Sequence, residues 1–400
     1  MSGWRPAAEL EPVDVLDAAR RAVRPQYQVV LPRGAVSLLA PDGLLEGLRS
    51  LYEPYYRLVP GEAAAADAEV LVLAAEPAWD PERLVTDMDR YLAHSSCVQW
   101  LAGVAVHVRP VPELEVLCAG SQRRVCVRGR DPAAVDLQMR TLLRDQLLHP
   151  MEGADGLVLH ASAVAWPQGA AVFVGRKGAG KTLCLLSLVC GAGASYVSGD
   201  RVRVGVAAGG PAVRGVPGRC NLLVERPGTP PAIPGLARVM RANGAASAEP
   251  SWCRRCALAG SRDAGPARSA RRSYHRSKTL VDGHLLTSAL GTAVQAEAPL
   301  RVVCFPRVEP GSGGLEVEEL ADPDRIVQLL AANVLRFGVT GGIVNWLGLH
   351  PDEPEPDGGC LRDLVLSMLP SVRFLRITGT FEGYTRGLAP LLREAGDRGR

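Results

Sequence analysis

The sequence predicts an α/β protein, and three observations carry that expectation. Valine-rich runs bounded by Gly and Pro alternate with helix-forming segments over residues 1–150. Tighter units begin near Asp155, where an apolar run, a glycine-rich turn and an apolar helical run follow one another from Val172 to Leu186. The composition, 47% hydrophobic and 22% charged over 400 residues, is that of a globular chain long enough for two or three domains.

The elements follow in order. "YQVVL", "AEVLVLAA", "VAVHVRPV" and "RRVCVRG" read as strands. "DPAAVDLQMRTLLRDQLLHP" reads as a helix, with Asp131 placed to cap it and Val135, Met139, Leu142 and Leu143 on one face. Residues 1–150 are therefore expected to form a small α/β accessory domain. Over residues 151–400, "GLVLHASAVAW" and "AAVFVG" read as strands, and "KTLCLLSLVCGAG" as a helix stopped by Gly191 and Gly193. "ASYVSGDRVRVGVAA" reads as strand, turn, strand, and residues of about 244–277, rich in Ala, Ser, Gly and Arg, as a mobile loop. "PLRVVCFPRV" restores order; "DPDRIVQLLAANVLRFG", "CLRDLVLSMLP" and "YTRGLAPLLREAG" read as helices and "VRFLRITG" as a strand.

Bulk properties narrow the function. A formal net charge of +3 supplies no general attraction to nucleic acid or membrane, and 5% aromatic content weakens any single-strand stacking role. No run of eighteen apolar residues suggests a membrane span, and the acid-bearing N-terminal segment does not read as a secretory signal. The ten cysteines lack regular spacing, as expected of reduced, mostly buried thiols in a cytoplasmic protein.

The chemistry concentrates in one stretch. Only three of the 45 Lys and Arg residues are lysines, and two of them, Lys177 and Lys181, fall within "GRKGAGKT". Gly175, Arg176, Lys177, Gly178, Ala179, Gly180, Lys181 and Thr182 satisfy the phosphate-loop pattern G-x-x-x-x-G-K-[ST]. Its glycines let backbone N–H groups turn toward phosphate oxygens, and the following helix presents its positive end to the same anion. Lys181 is a flexible point charge able to reach the β/γ-phosphates, and Thr182 supplies a hydroxyl for Mg²⁺. Lys177 reads equally as a solvated loop charge or as a phosphate contact. Asp200, after the strand "ASYVS", is placed to hold Mg²⁺ or to take a proton from an acceptor hydroxyl; the alternative is a turn-forming Asp in "SGDR". His160 lies on the strand before the loop, where a structural role competes with a catalytic one.

The order "LHASAV…VFVGRKGAGKT…YVSGDRVRV…VRGVPG", about residues 155–310, resembles the catalytic domain of HPr kinase/phosphorylase. It is more similar still to the HPr-kinase-like proteins found beside ribosomal peptide biosynthesis genes. The resemblance implies a fold like phosphoenolpyruvate carboxykinase and ATP- and Mg²⁺-dependent phosphorylation of a hydroxyl. It puts His160 on the family histidine, Asp200 on the second member of an acidic pair, and Arg214 on the arginine of a later segment. Arg307, in "CFPRVEPG", falls near a basic family residue. Gly199 stands where the first acid of the pair would be, which puts a reverse, phosphorylase activity in question.

The expected activity is a kinase whose acceptor is a Ser or Thr hydroxyl of a peptide or small protein, with the N-terminal domain helping to recognise it. A small-metabolite kinase and a non-catalytic nucleotide-binding regulator are the alternatives. Lys278 and the arginines of the 244–277 segment read as solvated charges or, for the arginines, as a lid. Cys253 and Cys256 form a single C-x-x-C with His275 nearby and no evident fourth ligand, a weak pattern for zinc.

Overall fold

The computed structural model describes residues 12–22, 27–31, 34–40, 42–60, 66–74, 97–101, 104–109, 114–119, 123–144, 156–223, 238–239, 278–309, 314–337, 342–343 and 358–397. These form a mixed α/β protein with two large mixed sheets, each belonging to one of two compact units. The expected loop at 244–277, with Cys253, Cys256 and His275, lies outside the described residues.

The first unit takes in the described residues up to 144. Its strands are β1 (Tyr27–Leu31), β2 (Gly34–Leu39), β3 (Arg57–Pro60), β4 (Ala68–Ala74), β5 (Cys97–Leu101), β6 (Val104–Arg109), β7 (Leu114–Ala119) and β8 (Arg124–Gly129). They lie in the order β3-β1-β2-β4-β8-β7-β6-β5, with β2, β4 and β8 mutually parallel and the other pairs antiparallel. Three helices accompany them: α1 (Pro12–Ala22), α2 (Asp42–Tyr52) and α3 (Pro132–Leu142). Val135, Met139, Leu142 and Leu143 are all fully buried, so the face read from their spacing is the one α3 turns to β4 and β8. Glu69 on β4 pairs with Arg20 of α1 and Arg124 of β8, tying helix to sheet. Glu115 is wholly buried on β7 and faces its register partner Arg128 at 3.6 Å.

The second unit runs through β9 (Leu157–Trp166), β10 (Gly169–Val174), α4 (Lys181–Ala192), β11 (Ser195–Ser198), β12 (Arg201–Ala207), β13 (Gly210–Gly215), β14 (Arg219–Leu223), β15 (Lys278–Asp282), α5 (Gly283–Leu290), β16 (Glu297–Val308), β17 (Leu315–Glu319), α6 (Pro323–Ala331), α7 (Gly358–Met368), β18 (Arg373–Gly379) and α8 (Phe381–Asp397). The main sheet is ordered β10-β9-β12-β13-β16-β18-β17, with β11 also on β9 and β10 also on β16. The β10–β16 pairing closes β10, β9, β12, β13 and β16 into a ring. Its parallel part is β10-β16-β18.

Every residue of β10 is buried, because both faces are covered. Ala171 and Phe173 pack with Leu185 and Leu188 of α4 and Leu388 of α8. Ala170, Val172 and Val174 face the other way, into a core completed by Ile326 and Leu330 of α6 and Val365 of α7. Each fully buried Val, Leu or Phe of this kind contributes roughly 1.5–3 kcal/mol.

Element ends differ from the sequence reading for identifiable reasons. Helix α4 runs through Gly191 and stops at Gly193, whose φ of 68° is left-handed, while Ala194 N–H closes on the Leu188 carbonyl at 3.2 Å. Helix α6 starts at Pro323 under an Asp322 cap and ends at Ala331, before the apolar "NVLRF" that prolongs its pattern. Val334 instead bridges to Leu159 of β9. Helix α8 begins at Phe381 and accommodates Pro390 internally. Helix α5 has no counterpart in the sequence reading.

Tyr384 of α8 ties three elements together. Its hydroxyl accepts from Arg307 N–H at 3.0 Å and donates to the Ile377 carbonyl at 2.6 Å. Tyr384→Phe removes the donor to the buried Ile377 carbonyl and the acceptor for the part-buried Arg307 N–H, and its expected cost is about 1–3 kcal/mol. Urea unfolding should show a lowered midpoint with an unchanged slope.

Candidate functional site

Strand β9 builds the site by simple alternation. Leu159, Ala161, Ala163 and Ala165 enter the core shared with α6 and α7, whereas Val164 packs on the α4 side. His160 and Ser162 share the face of Val164. Ser162 Oγ donates to the Lys181 carbonyl at 3.0 Å, fixing the first residue of α4 to β9. One step further along the strand, His160 reaches Asp200, with Nε2 3.5 Å from Oδ1. The two side chains retain 35% and 26% exposure, so the pair is open to a second reactant.

Asp200 sits in the bend between β11 and β12. Its carbonyl accepts from Ala161 N–H at 3.1 Å, and Arg201 approaches its second carboxylate oxygen at 3.8 Å. Gly199 beside it admits no side chain. A Cβ there would lie 2.9 Å from Cys220 Cα and 3.0 Å from the Tyr196 hydroxyl. The acid absent from the sequence at 199 is therefore also excluded by packing.

The loop Gly175–Gly180 joins β10 to α4 with exposed Arg176, Lys177 and Gly178 at its tip. Gly178 and Gly180 hold φ of 86° and 106°, which only glycine adopts without strain. Gly175 faces Ala179 so closely that a Cβ would come within 2.9 Å of it. Gly180 occupies the N-cap of α4 with no side-chain cap, so first-turn N–H groups remain directed at the loop. Lys181, 8% exposed, folds its ammonium onto the Gly175 and Arg176 carbonyls. Burial lowers its pKa from the ordinary lysine value, and the nearby Asp200 carboxylate works in the opposite direction. Strand β9 links the two residues, with Ala161 N–H bonded to the Asp200 carbonyl and Ser162 Oγ to the Lys181 carbonyl.

The remaining predicted residues take distinct positions. Arg307 lies at the carboxyl end of β16, the parallel neighbour of β10, and its exposed guanidinium pairs with Glu309 at 2.7 Å. The next residue, Val308, packs against Gly180. Arg214 is on β13, in register with Arg203 of β12 on one side and Glu297 of β16 on the other. Thr182 is half-buried in the first turn of α4. Lys278 opens β15, its backbone paired with Leu223. Ser162, Glu309 and Tyr384 are additions that motif reading did not supply. Ser162 alone carried a signal, as a polar residue on the same alternation as His160.

Among the described residues, no group of three or more His, Cys, Asp and Glu side chains could hold a metal ion, and no helix is long and apolar enough to cross a membrane. Cys118, Cys126, Cys184, Cys190, Cys220, Cys304 and Cys360 are free thiols, five of them buried. No family model matches the chain, and a search of curated proteins returns no match.

The close packing at Gly199 has a direct consequence. Gly199→Ala forces backbone to move at Cys220, with an expected loss of about 1–3 kcal/mol. A thermal melt should register a lower midpoint, and an unshifted midpoint would show that the segment yields freely.

Proposed function

We propose that this chain is an ATP- and Mg²⁺-dependent kinase that phosphorylates a Ser or Thr hydroxyl of a peptide or small protein. One arrangement carries the reading: adjacent residues of β9 bond to both halves of the site, Ser162 to the carbonyl of the buried Lys181 at the base of the glycine loop and Ala161 to the carbonyl of Asp200, whose half-buried side chain pairs with His160. A phosphate-binding element and a proton acceptor are thus side by side, which phosphoryl transfer requires and a simple anion sensor does not. In this reading residues 151–400 are a catalytic domain with a fold like phosphoenolpyruvate carboxykinase. Residues 1–150 are an accessory domain for acceptor recognition, in a cytoplasmic protein with no nucleic-acid or membrane partner.

The roles follow from the chemistry of each group. Loop N–H groups and the start of α4 receive the phosphates, and Lys181 leaves the Gly175 and Arg176 carbonyls to neutralise them. Arg307, from the neighbouring strand end, adds a second positive charge at the rim, while Arg214 contributes from β13. Thr182 and Asp200 are the oxygen donors suited to Mg²⁺. These two would hold the ion, which when bound would supply charge neutralisation for the leaving phosphates. Asp200 accepts the proton of the acceptor hydroxyl, and His160 beside it stabilises the carboxylate in position. Gly199, closed by packing, leaves Asp200 as the single carboxylate at this bend.

Mass spectrometry of candidate acceptors with ATP and Mg²⁺ tests the proposal. A phosphate increment on a peptide hydroxyl is expected, lost by about a hundredfold or more in Lys181→Ala and Asp200→Asn. Asp200→Asn should retain nucleotide binding. An increment on pooled metabolites alone identifies a small-molecule kinase, and binding without transfer to any acceptor identifies a regulator.

A calorimetric prediction concerns Lys181. Burial depresses its pKa in the empty protein, and phosphate charge beside it raises it again. At a pH between the depressed value and the raised one, nucleotide binding should take up protons. Titrations in buffers of different ionisation enthalpy would report this, and Lys181→Ala should abolish it. In the same window the unfolded chain binds more protons than the empty fold, so the stability of the empty protein rises with pH there.

A further inference from the structure

Strand β16 outlasts its parallel partner β10. Their register ends at Phe173 and Cys304, just before β10 gives way to the glycine loop. Beyond that point β16 runs on to Val308, and Pro306 brings no N–H that would need a partner on the side β10 has left. These last residues of β16 form a ledge beside the loop. The Pro306 carbonyl lies 3.9 Å from the Cβ position of Gly175, and Val308 Cγ2 lies 2.8 Å from that of Gly180. The ledge therefore meets the first glycine of the loop and the N-cap residue of α4. Gly180 holds a φ of 106° and has no side chain to lock it there, so its conformation depends on what it rests against.

On its other side the ledge is paired with β18, in a register that reaches Val308 and Gly379. The Tyr384 hydroxyl bonds to both strands at this point. It accepts from Arg307 N–H at 3.0 Å, and its proton has two acceptors in reach, the Ile377 carbonyl at 2.6 Å and the Arg307 carbonyl at 3.1 Å. Three backbone groups from two strands converge on one side-chain oxygen. The ring of Tyr384 is fully buried in the core that holds Cys184, Leu185 and Leu188 of α4. A phenylalanine would fill that core equally well; only the hydroxyl ties it to the ledge.

We propose that Tyr384 is a positioning residue for nucleotide binding: its hydroxyl fixes the end of β16, and Pro306 and Val308 in turn fix the loop and the start of α4. This inference rests on the reading of the glycine loop as a nucleotide site. It adds to that site a determinant on α8 that touches neither the loop nor the phosphates.

Calorimetric titration of the full chain with Mg²⁺-ATP is the test. In folded protein, Tyr384→Phe should weaken the affinity by about fivefold or more. Val308→Ala, at an exposed position, should weaken it as well, and the double variant should lose less than the product of the two losses. Val365→Ala, a packing loss in the core on the far side of the sheet, should lower the thermal midpoint and leave the affinity unchanged. An affinity unaltered in Tyr384→Phe, an equal loss in Val365→Ala, or losses that simply multiply in the double variant would overturn the assignment and leave the nucleotide site standing. A wild-type chain that binds no Mg²⁺-ATP would overturn both. Should Tyr384→Phe fail to fold, Val308→Ala decides, since an unaltered affinity there removes the ledge from the site.

Discussion

Strand β9 must satisfy hydrogen-bonding neighbours on both edges along its whole length, and the candidate site exists because of how it does so. On one edge β12 serves residues Leu157–His160 and β11 serves Ala163–Ala165, while the other edge passes from the residues around Val334 to β10. Between β11 and β12 the chain bends at Gly199–Asp200, and the Ala161 N–H bond to the Asp200 carbonyl holds register across that bend. A buried strand cannot leave its N–H and C=O groups unpaired, so the bend is pinned and Asp200 with it. The alternation that sends Leu159 and Ala161 into the core also sends His160 toward Asp200 and Ser162 toward the start of α4.

Much of this was legible in the residues. The glycine loop announced itself through spacing, and its structural basis is local: positive φ at Gly178 and Gly180 and a strand buried on both faces beneath it. The valine-rich strands β1, β4, β6 and β8 and the apolar face of α3 were equally plain, because their periods are short. The His160–Asp200 contact was not legible, since forty residues separate the two and only strand register brings them together. Helix ends were misplaced where tertiary contact overrode pattern. The apolar "NVLRF" continues a helical period, but Asn333 and Leu335 are taken up by backbone bonding to His160 and Val158 of β9. Short α5, built from eight residues and placed directly after β15, lacks a period long enough to read.

The scarcity of lysine also acquires a structural explanation. Guanidinium groups in this unit lie mostly at the surface or across strand pairs, where a planar fork meets a carboxylate, as in Arg373–Glu319. Beneath the glycine loop the arrangement is different: a compact ammonium at the end of a flexible stem meets the Gly175 and Arg176 carbonyls. Burial there lowers its affinity for the proton.

The uncapped start of α4 carries a consequence for the fold itself. Gly180 offers no side-chain oxygen to the first-turn N–H groups, so whatever fills that space acts as the missing cap. Helix α4 is also the wall of the core that holds Phe173, Leu188 and Leu388. Occupancy of the loop and cohesion of the domain are therefore thermodynamically linked. Any anion that binds the native loop in preference to the unfolded chain raises resistance to unfolding in proportion to the logarithm of its concentration.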